Sequence, residues 1–404
     1  MSSFLQLAFL LAIIILTAKL GGYLSTRLGQ PSVLGELLVG LILGPSLIDI
    51  THLSFITNSH LGETIAELGE LGVMLLMFLA GLELEFKDLA RNVKVSALAG
   101  SLGVILPVGL GLIFGELLGM DFSHAMFLGL TLGATSVSIS AQTLMELKVL
   151  RSRVGLGLLG AAVFDDILVI LLLSVFLALE GGGGGFGAIM VVIGKMVLFL
   201  ALSVAFGLWA LPRITHLTAR LNISQGIVSL AIVTLLFYGL AAEVVGGMAA
   251  ITGAFVAGLM FGRTQESHQI ESGLGSLAYS FFVPIFFISI GLDVNIRELD
   301  SSALWIAALI SLIAIFGKIL GAGFGAWAGK FSMRESLQLG IGMVSRGEVG
   351  LIVAKVGLDS GLLSADIFSA IVGMVLVTTL VTPPMLRASF RSPKPPPAVS
   401  QPEG

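Results

Sequence analysis

Two adjacent aspartates interrupt the apolar stretch GAAVFDDILVILLLS, residues 160–174. No basic residue lies within three positions of Asp165 or Asp166. A carboxylate in such surroundings must hold a proton, a small cation or a basic side chain, because an unpaired charge in hydrocarbon costs at least ~2.5 kcal/mol. Lys318, in AIFGKILGAG, poses the opposite problem. A buried lysine needs a counter-charge or loses its proton, and Asp165 or Asp166 is the natural partner. Two further stretches carry polar groups where apolar ones are expected. TLGATSVSIS holds Thr131, Thr135, Ser136, Ser138 and Ser140, and GMVSRGEVG holds Arg346 and Glu348.

Other chemistries find little support. There is no cysteine, so thiolate metal sites and Cys nucleophiles are excluded. The five histidines form no HxxxH or HExxH pair, and no phosphate-binding loop is present. An intramembrane aspartyl protease needs two aspartates on different helices sharing one proton, whereas here they are neighbours.

The elements around these residues are set by composition. The chain has 404 residues, of which 56% are hydrophobic and 11% charged, with a mean hydropathy of +1.05. Apolar runs of about 20 residues recur along it, the length needed to cross a bilayer as helix. This is the pattern of an all-α polytopic membrane protein, and a small net charge of −4 with a pI near 5.8 argues against nucleic acid as a partner. Polar and Gly/Pro punctuation divides the chain into thirteen spans, at 4–26, 32–49, 66–84, 95–119, 123–146, 152–179, 187–212, 223–243, 246–262, 272–292, 302–328, 336–357 and 366–389. GGGGG at 181–185 reads as a flexible connection. The Pro-rich tail 391–404 reads as a disordered cytoplasmic segment. Asp165 falls about 13 residues into its span, roughly 20 Å deep, near the bilayer centre. TLGATSVSIS and GMVSRGEVG are poor helix formers at mid-span, and both read as unwound breaks whose carbonyls and half-helix ends suit small ions.

Basic residues orient the chain. With the N-terminus outside, fifteen Lys and Arg fall in inner connections and the tail, and only Arg297 falls in an outer connection. An internal repeat is also present. PSVLGELLVGLILG (31–44) resembles MAAITGAFVAGLMFG (248–262), FLAGLELEF (78–86) resembles FISIGLDVNI (287–296), and LGLTLGATSVSIS (128–140) resembles LQLGIGMVSRGEVG (337–350), at offsets of about 218, 210 and 209 residues. Seven spans separate the copies, an odd number, so the two halves are inverted in the membrane. Residues 1–180 form the first repeat, 181–222 a linker helix, and 223–390 the second repeat. Inverted repeats of this kind typify secondary transporters.

QPSVLGELLVGLILGPS, FLAGLE, ATSVSI, GAAVFDDILVI, VPIFF, FGKILGA and SRGEVGLIVA stand in one order along the chain. In that order they resemble the NapA-type bacterial sodium/proton antiporters of the monovalent cation:proton antiporter superfamily. The resemblance covers nearly all the membrane residues, and the Asp-Asp and RGEVGLI motifs are its specific part. It implies an NhaA/NapA-like fold of thirteen transmembrane helices, with a dimer domain and a core domain in which two broken helices cross. It implies Asp166 as the ion and proton carrier, Asp165 paired with Lys318, Thr135 and Ser136 beside the ion, and Arg346 and Glu348 as charge partners at the second break. It further implies a homodimer in the bacterial inner membrane, working in pH homeostasis. Kef-type potassium systems, which are relatives, usually carry a cytosolic nucleotide-binding domain and another residue before the key aspartate, and this chain has neither feature.

The expectation is therefore a secondary antiporter, with Na⁺ or Li⁺ and H⁺ as cargo, no cofactor and no regulatory nucleotide-binding domain. A K⁺/H⁺ exchanger on the same fold is the nearest rival. A Na⁺-coupled organic-solute symporter is a more distant one, and would need a roomier site.

Overall fold

The computed structural model describes residues 2–180, 186–221, 223–292, 294–295, 297 and 301–390. The glycine run at 181–185 and the tail 391–404 lie outside the described residues. The described chain is helical: α1 Ser3–Arg27, α2 Ser32–Leu43, α3 Leu61–Leu82, α4 Phe86–Arg91, α5 Val93–Leu117, α6 Phe122–Gly133, α7 Val137–Glu146, α8 Arg153–Glu180, α9 Phe186–Trp209, α10 Leu211–Arg220, α11 Gly226–Ala241, α12 Ala250–Phe261, α13 Ser267–Leu277, α14 Val283–Leu292, α15 Ser301–Ala328, α16 Met333–Gly342, α17 Glu348–Asp359 and α18 Ala365–Phe390. Among the described residues ten helical segments are long and apolar enough to cross a membrane, and α2, α12 and Val349–Leu358 are shorter apolar helices. Large side chains such as Phe4, Trp305 and Phe237 are exposed on the outside, which fits a surface solvated by lipid. This is an integral membrane protein with an all-helical, polytopic fold.

The helices sort into two bundles. In the first, α1 packs on α2, α2 on α14, α3 on α12 and α14, and α11 on α12 and α13. In the second, α5 packs on α15, α6 and α8, α15 on α16 and α18, and α7 on α18. The bundles meet where α7 touches α2 and α3 and where α18 touches α2, while α9 packs on α8 of one and α12 of the other.

Glycines set the closest approaches within the first bundle. A methyl on Gly40 would lie 2.5 Å from the Ile288 carbonyl oxygen, and one on Gly258 would run into the Phe78 carbonyl. Backbones this close gain dispersion contact, which must replace the hydrophobic drive that lipid does not supply.

Several boundaries differ from the sequence expectation. The second span is helical only to Leu43, then turns through Gly44–Asp49. The eighth closes with one turn of π-helix at Ala242–Gly246, and Gly247 (φ +62°) breaks the chain before α12. That left-handed turn delays α12 to Ala250, four residues later than hydropathy indicates. The expected connections also hold two short helices, α4 and α10.

Gly40→Ala and Gly258→Ala are each expected to cost about 1–3 kcal/mol by overpacking. Gly109→Ala, where a methyl meets nothing within 4 Å, is expected to cost nothing. Thermal unfolding midpoints in detergent check this, and equal midpoints for all three variants would refute it.

Candidate functional site

Asp165 and Asp166 lie mid-way along α8 and diverge by about 100° around its axis. Asp165 Oδ1 accepts a hydrogen bond from Lys318 Nζ of α15, forming an ion pair in which both side chains are fully buried. Asp165 Oδ2 has no hydrogen-bond partner among the described residues. Asp166 faces elsewhere. With Met77 of α3, Val137 of α7, and Ile251 and Thr252 of α12, it lines a cavity of about 10 Å³ between the bundles. That volume holds about one water-sized particle. Asp166 Oδ2 accepts a hydrogen bond from Thr252 Oγ1 at 3.0 Å.

Beside this pair two helices are interrupted. The first stops at Gly133 and restarts at Val137, with Ala134 and Ser136 extended between. The second stops at Gly342 and restarts at Glu348, with Gly347 extended before it. The two breaks bond to each other. Ser136 N–H donates to the Ser345 carbonyl at 2.9 Å, and Ser345 Oγ donates to the Ser136 carbonyl at 2.5 Å. Ser140 Oγ donates to the Gly342 carbonyl at 2.6 Å. A side chain at position 347 would press on Ser136, its Cβ falling 2.7 Å from that residue's Cβ and Oγ. Glycine there is what lets the breaks meet.

Each interruption leaves carbonyls at a helix C-terminus with no amide to bond, in a region without water. Arg346 supplies the donors. Its Nη1 donates to the Val344 and Met343 carbonyls at 2.9 and 3.2 Å, and its Nη2 donates to the Leu132 carbonyl at 2.7 Å and the Ala314 carbonyl at 3.4 Å. One fully buried guanidinium thus binds the C-terminal ends of both interrupted helices, where the dipoles favour a cation. Lys318 and Arg346 balance the two aspartates in formal charge.

The remaining expected residues are placed as follows. Thr135 is buried, and its Oγ1 has no hydrogen-bond partner among the described residues. Ser136 Oγ lies 2.9 Å from Ser138 Oγ. The Glu348 side chain lies outside the described residues. The sequence reading missed Thr252 and Ser345, and named Ser140 among the hydroxyls of the first break without naming its partner. The available signal for Thr252 was that it is the only hydroxyl in MAAITGAFVAGLMFG.

Residues 12–391 match the family described as sodium/hydrogen exchanger, transmembrane. The chain belongs to that family. Among similar exchangers, the Na⁺/H⁺-K⁺ antiporter GerN of Bacillus cereus is 43% identical over 383 residues, 95% of this chain and 96% of that protein. The Na⁺/H⁺ antiporter of Enterococcus hirae is 33% identical over 379 residues, 94% of this chain and 96% of that protein. The solved structure of the sodium proton antiporter MjNhaP1 from Methanocaldococcus jannaschii has the same fold, with a TM-score of 0.65 at 20% identity over 96% of this chain and 95% of that one. The family is one of transporters rather than enzymes.

Arg346→Lys in this exchanger is expected to keep the charge but lose the fork that reaches both helix ends, costing about 3 kcal/mol as buried carbonyls go unpaired. A lowered unfolding midpoint in detergent is the readout, and an unchanged one would show that the guanidinium is not what holds the breaks together.

Proposed function

We propose that this chain is a secondary antiporter that exchanges Na⁺ (or Li⁺) for H⁺ by alternating access, with Asp166 as the shared site. One observation carries the reading: Asp166 is a buried carboxylate on a cavity of about 10 Å³ at the seam of two bundles. A carboxylate there takes either a proton or one small cation, and either neutralises the site before the bundles move. Thr135 Oγ1 and Asp165 Oδ2, which have no hydrogen-bond partner among the described residues, are hard ligands suited to such an ion. A cavity of this size does not admit an organic solute, which argues against solute symport. The relative named for K⁺ as well as Na⁺ favours a second reading, K⁺/H⁺ exchange at the same site.

The exchange is electrogenic in this reading. When a cation arrives beside Asp166, Asp165 turns towards it, and Lys318 loses its counter-charge and releases its proton. Two protons then move against one cation. Glu348 joins Arg346 as a charge partner at the second break. No cofactor takes part, since one ion gradient drives the other.

Counting α2, α12 and the broken α16–α17 as spans gives thirteen transmembrane helices in two inverted six-helix repeats, 1–180 and 223–390, joined through 181–222. Close packing supports the repeat. Gly258 lies 218 residues after Gly40, and Ile288 lies 210 residues after Phe78, yet Gly40 meets Ile288 as Gly258 meets Phe78. The first bundle is then the dimer domain of a homodimer in the bacterial plasma membrane. The basic-residue asymmetry puts the N-terminus outside and the tail 391–404 in the cytoplasm, and the physiological role is pH homeostasis.

Purified protein in proteoliposomes tests the reading. Na⁺ or Li⁺ is expected to move protons outward against the cation at a rate that responds to an imposed membrane potential. Asp166→Asn is expected to fold but lose at least about 100-fold in exchange. Lys318→Gln is expected to retain exchange while losing its dependence on potential. Robust exchange by well-folded Asp166→Asn would overturn the assignment, and K⁺ transport at the Na⁺ rate would replace it with the second reading.

A further inference from the structure

The carrier carboxylate is held from across the seam. Thr252 belongs to α12 in the first bundle, and Asp166 belongs to α8 in the second, yet the two share a 3.0 Å hydrogen bond. Both side chains are buried.

Several buried hydroxyls within the helices are used differently. Thr131, Thr143, Thr234, Thr378, Thr382 and Ser311 each donate to the carbonyl four residues earlier in their own helix. A hydroxyl satisfied in that way has nothing left to donate. Thr252 has no such outlet, because α12 begins only at Ala250, after the π-turn and the left-handed Gly247. The residue four before it, Met248, precedes the helix. The late start of α12 therefore frees the hydroxyl and sets its first turn, the positive end of the helix, beside Asp166.

We propose that Thr252 is a positioning residue that locks the empty carrier. Its hydrogen bond is charge-assisted only while Asp166 is ionised and without cargo. A proton on the carboxylate removes the charge from the acceptor. A cation on the carboxylate draws the same oxygen lone pairs, and a hydroxyl hydrogen cannot point at it. The bond therefore ties the bundles together in the state that must not cross the membrane, and lets go in the two states that must. Antiport needs this discrimination, since return of an empty carrier turns exchange into a cation leak.

The inference rests on the exchange reading above, and the test separates the two. Wild-type full-length chain, Thr252→Val and Thr252→Ser are reconstituted in proteoliposomes, and Na⁺ efflux and proton uptake are recorded together. Wild type is expected to show proton uptake matched to Na⁺ efflux. Thr252→Val is expected to keep moving Na⁺ while the unmatched fraction of that efflux rises about tenfold, the factor by which losing one charge-assisted hydrogen bond shifts an equilibrium. Thr252→Ser, which keeps the hydroxyl, is expected to restore matching, and Thr252→Ala, which also lacks the hydroxyl, is read in the same way if the valine variant fails to fold. Matched fluxes in Thr252→Val would overturn the lock, as would matched fluxes with weakened Na⁺ affinity, which would make Thr252 a ligand of the cation instead. Absence of cation-driven proton movement in wild type would instead overturn the function itself.

Discussion

Four buried charges govern this molecule. Asp165, Asp166, Lys318 and Arg346 all sit deep between helices, where separating charge from water is costly. They are tolerable because they are arranged as a set. Lys318 takes one oxygen of Asp165, Arg346 takes backbone carbonyls, and Asp166 takes a hydroxyl from the opposite bundle. Each ligand is of a different kind, so altering one charge does not simply hand its partner to another. In the exchange reading proposed above, a proton or a cation arriving at Asp166 is answered elsewhere in the set, and that would couple one ion to the other.

The broken helices follow from the same constraint. A continuous helix at these depths presents only side chains to a cavity. Interrupting two helices brings free backbone groups to the level of the aspartates, at the cost of carbonyls that lipid cannot satisfy. The chain meets that cost locally. The Ser136–Ser345 pair joins the two breaks through reciprocal bonds, Ser140 covers the Gly342 carbonyl, and Arg346 covers the helix ends. Thr379 of α18 donates to the Arg346 carbonyl at 2.6 Å, so the second break is also fixed from behind. A site built this way is stiff, and it can travel with its bundle as one piece.

Much of this was legible in the sequence because charge in an apolar run needs a reason. Asp165, Asp166, Lys318 and Arg346 announce themselves by type alone, and Gly, Ser and Thr clusters at mid-span mark where helix fails. Hydroxyls are harder to read. A threonine in an apolar helix usually bonds back to its own carbonyls, so Thr252 looks ordinary until the start of α12 is known. That start depends on the left-handed Gly247 and a π-turn, neither of which hydropathy detects. Partners far apart in the chain are hidden for a similar reason. Glu146 accepts from Ser32 N at 2.7 Å and from Ser32 Oγ at 2.5 Å, and nothing in either segment names the other.

That last contact and the Thr252 contact share a cause. At 12 residues each, α2 and α12 are about 18 Å long, well short of a hydrocarbon layer of about 30 Å. Short helices place their first turns inside protein, where unsatisfied N–H groups and a positive dipole end need an acceptor. Neither helix supplies one itself, since residues Pro31 and Ala249 before them make no side-chain cap. At both starts a carboxylate of the opposite bundle is drawn in: Glu146 accepts from the Ser32 N–H and hydroxyl of α2, and Asp166 accepts from the Thr252 hydroxyl in the first turn of α12. The seam thus carries polar contacts at the starts of these two helices. In the exchange reading, movement of the bundles past one another would require these carboxylates to let go of the helix starts. In that reading Asp166 is the carboxylate that cargo neutralises, so the second of these two anchors is the one that loading would release.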